Sequence, residues 1–243
     1  MKFKGFVRKL KSGKAMLAVL IDPDKFNPEL IKLADKNRVN CFLVGGSELK
    51  SGDVQKTIKT IKQLSRIPVF LFPGDENQLC ALADGLLLLS LLSGRKAEYL
   101  IEKHIQAAPL IKKMKLPHLP VAYLLVGSNA ASATAKVTGT SPLKTAQRKY
   151  IVDTALAAQQ LGFGAVYLEA GSGAAKPVTA NLVRLIKKNV SLPLIVGGGI
   201  NSAARVEAAI EAGADMVVVG NALEQNMHLL PSICKALDAV KKQ

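Results

Sequence analysis

Eight short apolar runs, each closed by glycine, proline or a polar residue and followed by a stretch with helical spacing, constrain this chain more than any other feature. They are residues 16–21, 41–44, 67–72, 85–92, 119–126, 165–169, 193–196 and 215–219. A run that is apolar without alternation marks a strand covered on both faces, and such strands belong to parallel sheets flanked by helices. Eight strand–helix repeats within 243 residues predict an α/β chain folded as a (β/α)8 barrel of the TIM type. A doubly wound open sheet is the competing arrangement. Its dinucleotide fingerprint is missing from the first strand–helix turn, where Asp22-Pro23-Asp24 stands. No linker-like or low-complexity stretch interrupts the pattern, so residues 1–243 are expected to form one domain.

One repeat is irregular. Only residues 74–83 lie between the third and fourth strands, too few for an ordinary crossover helix, so the third helix is expected to be truncated or missing. The flank left open is a candidate groove. Elsewhere the helix signals are regular. Phe3, Phe6, Val7 and Leu10 predict a short amphipathic helix closing one end of the core. Asn27-Pro28 starts a helix, and residues 95–114 place Leu100, Ile101, His104, Ile105 and Ala108 at core spacing. Ser141-Pro142 is the expected entry to the helix ending near 161, after a long polar loop over 127–140. Asn201 is the expected cap of a helix that Gly213 terminates.

In a barrel of this kind the reactive groups sit at the C-terminal ends of the strands. The sixth strand runs into Tyr167-Leu168-Glu169-Ala170-Gly171-Ser172-Gly173, where Gly171 and Gly173 allow positive φ and close approach of a ligand. The seventh ends in Gly197-Gly198-Gly199 and the eighth in Gly220-Asn221. Two adjacent strands ending in glycine before a helix match the usual barrel phosphate site. Glu169 is a carboxylate beside those loops. It reads either as the group that orients and deprotonates a substrate hydroxyl or as an ion-pair partner of Lys25 or Lys176. Asp22 reads either as a turn cap or as an Mg²⁺ ligand with Ser47 at the neighbouring strand end, and Asp24 competes for the metal role. His104, His118 and His228 do not cluster. Tyr99 belongs either to the core or to the open flank.

The balance of 33 Lys+Arg against 18 Asp+Glu gives a formal charge of +15. No nucleic-acid recognition motif accompanies it, so the charge is assigned to anionic substrates, an anionic membrane surface or plain solvation. No run of 18 apolar residues is present, and the start lacks the pattern of a secretion signal. Three scattered cysteines read as reduced thiols. The expected location is cytoplasmic.

Taken together, Leu20-Ile-Asp-Pro-Asp-Lys25, Val44-Gly-Gly-Ser47, Phe72-Pro-Gly74, Ser90-Leu-Leu-Ser-Gly-Arg95, Tyr167-Leu-Glu-Ala-Gly-Ser-Gly-Ala174, Val196-Gly-Gly-Gly-Ile200 and Gly220-Asn221 resemble the geranylgeranylglyceryl phosphate synthase family. The resemblance covers residues 20 to about 225, and the Tyr167–Ala174 wording is its most specific part. It implies a barrel lacking a regular third helix and an enzyme joining sn-glycerol 1-phosphate to a polyprenyl diphosphate with Mg²⁺. It implies that the loop Tyr167, Leu168, Glu169, Ala170, Gly171, Ser172, Gly173 holds glycerol phosphate, with Gly198, Gly199, Gly220 and Asn221 around its phosphate. Asp22 and Ser47 would hold the metal, and Lys25, Arg95 and Tyr99 would meet the prenyl diphosphate. One branch of the family carries a Lys two residues before the metal Asp; here that residue is Leu20, so the resemblance implies that a cation serving either phosphate comes from elsewhere, with Lys25 and Arg95 the candidates. The resemblance also implies a homo-oligomer. The rival readings are a sugar-phosphate isomerase, a thiamin- or tryptophan-pathway synthase, or a non-catalytic phosphate- or lipid-binding barrel.

Overall fold

The computed structural model describes residues 2–127 and 132–240. Eight parallel strands close in sequence order into a barrel: β1 (Met16–Ile21), β2 (Cys41–Val44), β3 (Val69–Leu71), β4 (Gly85–Leu91), β5 (His118–Leu125), β6 (Ala165–Glu169), β7 (Leu194–Gly197) and β8 (Met216–Val219). The pairing of β1 with β8, Ala18 opposite Val218, closes the ring. Strand periodicity divides each run between two cores. Residues such as Ala18, Leu43, Phe70, Leu87, Val121, Tyr167, Ile195 and Val218 fill the barrel interior. Their sequence neighbours, including Val19, Phe42, Leu71, Leu86, Leu168 and Val196, pack under the outer helices.

The amino-terminal helix α1 (Lys2–Leu10) plugs the bottom of the barrel with Phe3, Phe6 and Leu10. The Phe6 ring lies 4.4 Å from that of Phe70, and Phe3 meets the same ring edge-on at 5.7 Å. The outer layer continues with α2 (Pro28–Lys36), capped by Asn27, and α3 (Val54–Leu64), capped by Asp53. A single 3-10 turn, Glu76–Gln78, stands where a third full helix would follow β3. The short connection therefore leaves the flank over β3 and β4 thinly covered.

Beyond β4 a 3-10 turn, Ala97–Tyr99, leads into α4 (Glu102–Met114). The expected core stripe is correct in period and wrong in phase. Ala107 and Ile111 are buried, whereas Ile101 is 53% and Ile105 61% exposed. Spacing within a helix defines a stripe, but the neighbouring elements decide which face is covered. The polar loop after β5 contains a short helix, α5 (Ala133–Thr138), for which the sequence carries no periodic signal. The next helix, α6 (Arg148–Gln160), starts later than Ser141-Pro142 because residues 143 and 126 first form a parallel bridge. The outer layer ends with α7 (Ala180–Asn189), α8 (Ala203–Glu211), the short α9 (Asn221–Gln225) and α10 (Leu230–Ala239). Ser202, not Asn201, caps α8: its hydroxyl accepts from the Arg205 N–H. Among the described residues no helix is long and apolar enough to cross a membrane.

Candidate active site

A cavity of about 650 Å³ opens at the C-terminal ends of the strands and extends toward the thin flank. Tyr167 and Glu169 reach it because alternate residues of β6 point into the barrel. The same alternation sends Leu168 and Ala170 into the core under the helices. Their side chains do not line the cavity. Gly171 is likewise behind the surface, where its N–H donates to Glu169 Oε1 at 2.7 Å. Ser172, Gly173, Gly198, Gly199, Gly220 and Asn221 do line the mouth. Ser172 Oγ donates to Asn221 Oδ1 at 2.5 Å, tying the loop after β6 to the one after β8.

The glycines after β7 are dictated by what lies against them. A Cβ on Gly197 would collide with the Tyr167 hydroxyl, and one on Gly198 with Glu169 Oε1. Gly198 and Gly199 also have φ of 78° and 68°, a conformation that disfavours any side chain. Beneath them Tyr167 stacks on Tyr123 with ring centroids 5.2 Å apart, and Phe72 packs on Tyr167 at the same distance. This aromatic layer seals the barrel interior below the mouth.

Glu169 is only 7% exposed. Burial pushes its carboxyl up to about 7, against the opposing pull of the Gly171 N–H and the Tyr167 hydroxyl. Among the described residues no lysine pairs with it: Lys25 bonds Glu224 at 3.0 Å and lies 3.6 Å from Asp22. A carboxyl held near neutrality at the rim of a cavity suits proton transfer rather than an ion pair.

On the opposite wall the two acids of the first strand–helix turn differ in their contacts. Asp24 accepts from the backbone N–H groups of Lys50, Ser51 and Gly52, which hold it below the usual carboxylate range. Its oxygens pin the loop after β2. Asp22 caps its own turn through Oδ1, which accepts from the Asp24 N–H at 3.0 Å, and still lines the cavity. Ser47 lines the cavity beside it, with its hydroxyl 3.1 Å from that of Thr134 on α5. Buried Gln78 fixes this wall: its amide donates to the Gly46 carbonyl at 2.8 Å and accepts from the Gly46 N–H at 3.1 Å. Among the described residues no cluster of three or more acidic, histidine or cysteine side chains forms a metal cage. One carboxylate and one hydroxyl on an open wall is nonetheless the donor set Mg²⁺ accepts when substrate phosphates and water complete its octahedron.

The cavity continues over the thin flank, lined there by Leu79, Leu86, Leu88, Tyr99, His104 and Ala107. The Tyr99 hydroxyl donates to the Val137 carbonyl at 3.2 Å, so this side chain spans from the turn before α4 to α5. Arg95 departs from expectation. Its guanidinium bonds the carbonyls of Leu92 and Gly94 and the Tyr150 hydroxyl, folding back on its own loop outside the cavity. Leu92, just past β4, packs against the outer core and does not line this wall. Sequence reasoning missed Gln78, Thr134, Lys136 and His104. His104 Nε2 lies 2.6 Å from Ser90 Oγ, a polar pair beside an otherwise apolar wall, and burial lowers its pKa. The outward-facing i, i+2 positions of the leucine run were the one available signal for this wall.

The profile of the PcrB family matches residues 10–242. The chain belongs to that family. A geranylgeranylglyceryl phosphate synthase from Spirosoma linguale is 44% identical over 227 residues, 91% of each chain. The crystal structure of (S)-3-O-geranylgeranylglyceryl phosphate synthase from Thermoplasma acidophilum in complex with substrate sn-glycerol-1-phosphate superposes with a TM-score of 0.90 at 31% identity, covering 98% of both chains. A thiamine phosphate pyrophosphorylase from Pyrococcus furiosus shares the fold at 16% identity and a TM-score of 0.59 over 94% of this chain and 98% of that one. The barrel is thus common to several activities, while whole-length identity places this chain with the synthases.

Proposed function

We infer that this PcrB-family barrel transfers a prenyl group from geranylgeranyl diphosphate to the C3 hydroxyl of sn-glycerol 1-phosphate. The products are 3-O-geranylgeranyl-sn-glyceryl 1-phosphate and diphosphate. The observation that carries the reading is the juxtaposition of buried Glu169 with the Gly198–Gly199 loop at one end of a cavity whose other end runs over Leu79, Leu88 and Tyr99. A small phosphate ester fits the first end, and a long apolar tail fits the second. The near-complete coverage by named synthases supports the same assignment.

In this reading the glycerol phosphate sits against Gly198, Gly199, Gly220 and Asn221, and its C3 hydroxyl faces Glu169. The hydroxyl oxygen bonds to C1 of the prenyl chain as its proton passes to the Glu169 carboxylate. The C1–O bond to the diphosphate breaks, and the electron pair stays on the diphosphate oxygen. Asp22 and Ser47 would hold Mg²⁺, which when bound neutralises charge on the diphosphate oxygens. The aromatic layer of Phe72, Tyr123 and Tyr167 blocks the barrel interior, so the tail leaves across the β3–β4 flank. The amphiphilic product and the basic surface fit a peripheral encounter with an anionic membrane.

Incubation of the purified chain with sn-glycerol 1-phosphate and radiolabelled geranylgeranyl diphosphate tests the reading. Labelled ether lipid and metal-dependent diphosphate release are expected. No transfer from any prenyl diphosphate would leave the barrel to another phosphate chemistry or to binding alone.

A further inference from the structure

Transfer leaves an extra negative charge on the diphosphate, and Asp22 adds its own to the same wall. Cations must meet that charge, and Arg95 is turned away. Four lysines line the cavity: Lys25, Lys50, Lys103 and Lys136. Two are already engaged. Lys25 bonds Glu224 and neighbours Asp22, while Lys103 bonds Asp75 at 2.6 Å and Glu76 at 3.2 Å. Among the described residues neither Lys50 nor Lys136 makes an ion pair or a side-chain hydrogen bond. Lys50 lies on the loop after β2, held there by the Asp24 carboxylate, which accepts from its backbone N–H at 2.9 Å.

Lys136 is placed differently. It lies on α5, which touches both halves of the donor site: the Thr134 hydroxyl is 3.1 Å from that of Ser47, and the Val137 carbonyl accepts from Tyr99. In a prenyl diphosphate the charged group connects the metal-bound end to the tail. A cation carried on the element that spans the candidate metal wall and the tail groove is therefore at the position of the diphosphate. Resting on the reading of function above, we propose that Lys136 binds the diphosphate and takes up the charge released on it as the C1–O bond breaks. The ammonium keeps its proton throughout, and its flexible stem follows the leaving group.

The test compares Lys136→Met, Lys136→Arg and Lys50→Met with the wild type. It uses two readouts: turnover with both substrates, and binding of inorganic diphosphate in Mg²⁺ by calorimetry. Lys136→Met should lower turnover by about tenfold to a hundredfold, less than the roughly 10²–10³ for a preorganised donor because the lysine stem is flexible. It should also weaken diphosphate binding about tenfold, while glycerol phosphate affinity and the unfolding midpoint stay unchanged. Lys136→Arg should recover most of both losses, and Lys50→Met should stay close to the wild type. Wild-type diphosphate affinity in Lys136→Met, or the loss appearing in Lys50→Met instead, overturns the assignment. The calorimetric arm needs no prenyl transfer. An inert wild type would therefore sink the reading of function while the binding comparison still decided Lys136.

Discussion

The acceptor end and the donor end of the cavity are built from different materials. At the acceptor end backbone turns do the work: Gly197 and Gly198 press against Tyr167 and Glu169, and the aromatic layer below holds them in register. At the donor end the walls are side chains on one-turn segments and the six-residue α5, joined through single contacts such as Tyr99–Val137 and Ser47–Thr134. In the proposed function the first construction suits one small ligand, and the second would let one side chain change the length preference without disturbing the barrel.

Glu169 gives the largest expected effect at the acceptor end. Glu169→Gln should slow turnover by roughly 10²-fold or more while leaving glycerol phosphate affinity nearly intact. An unaffected rate removes Glu169 from the chemistry. In the wild type kcat/KM should rise as pH passes through about 7, because the acceptor hydroxyl needs the deprotonated carboxylate. The same shift has a stability consequence. The folded carboxyl binds its proton more tightly than the unfolded one, whose ordinary value is 4.5. Its contribution to stability is therefore fully present below pH 4.5 and is lost as pH rises to about 7. Glu169→Gln should relieve on the order of 3 kcal/mol at pH 8 and almost nothing at pH 4. Equal melting shifts at both pH values would contradict the burial argument.

Asp22→Asn should weaken Mg²⁺-dependent diphosphate binding on the order of tenfold, because metal and diphosphate share one coordination sphere. Calorimetry showing unchanged affinity would remove Asp22 from the metal wall. Asp24→Asn offers the contrast: loosening the loop that holds Lys50 to Gly52 should show first in thermal stability. The smallest effect is expected at the groove. Tyr99→Ala should shift relative rates among ten-, fifteen-, twenty- and thirty-five-carbon diphosphates several-fold, with glycerol phosphate affinity unchanged. An unaltered profile would place the tail elsewhere.

The same contrast explains what was legible in the sequence. The eight strands, the missing third helix and the glycine turns are written in local patterns, since continuous apolar runs, connection lengths and positive φ depend on adjacent residues. Leu168 and Ala170 lie in the expected motif, but the two-residue period of β6 turns their side chains away from the cavity. The donor end depends on which way individual side chains turn. Arg95 stands near the cavity in sequence and bonds its own loop instead. Tyr99 was undecided between core and groove until the phase of the turn before α4 was fixed. Lys136 and Thr134 sat in a stretch with no periodic signal, and α5 became visible only through what it touches. Asp22 and Asp24 share one motif, and only the position of the β2 loop assigns Asp24 to structure.

The central claim, that one cavity joins an acceptor end at β6–β8 to a tail groove over β3–β4, is tested most directly by a crystal structure with both ligands bound. sn-Glycerol 1-phosphate and a non-reactive thiolo analogue of geranylgeranyl diphosphate would be used together. The account predicts glycerol phosphate against Gly198, Gly199 and Asn221 with its C3 hydroxyl at Glu169, and the prenyl chain passing Tyr99 over Leu79 and Leu88. A tail lying across any other flank, or an acceptor hydroxyl facing away from Glu169, would contradict it.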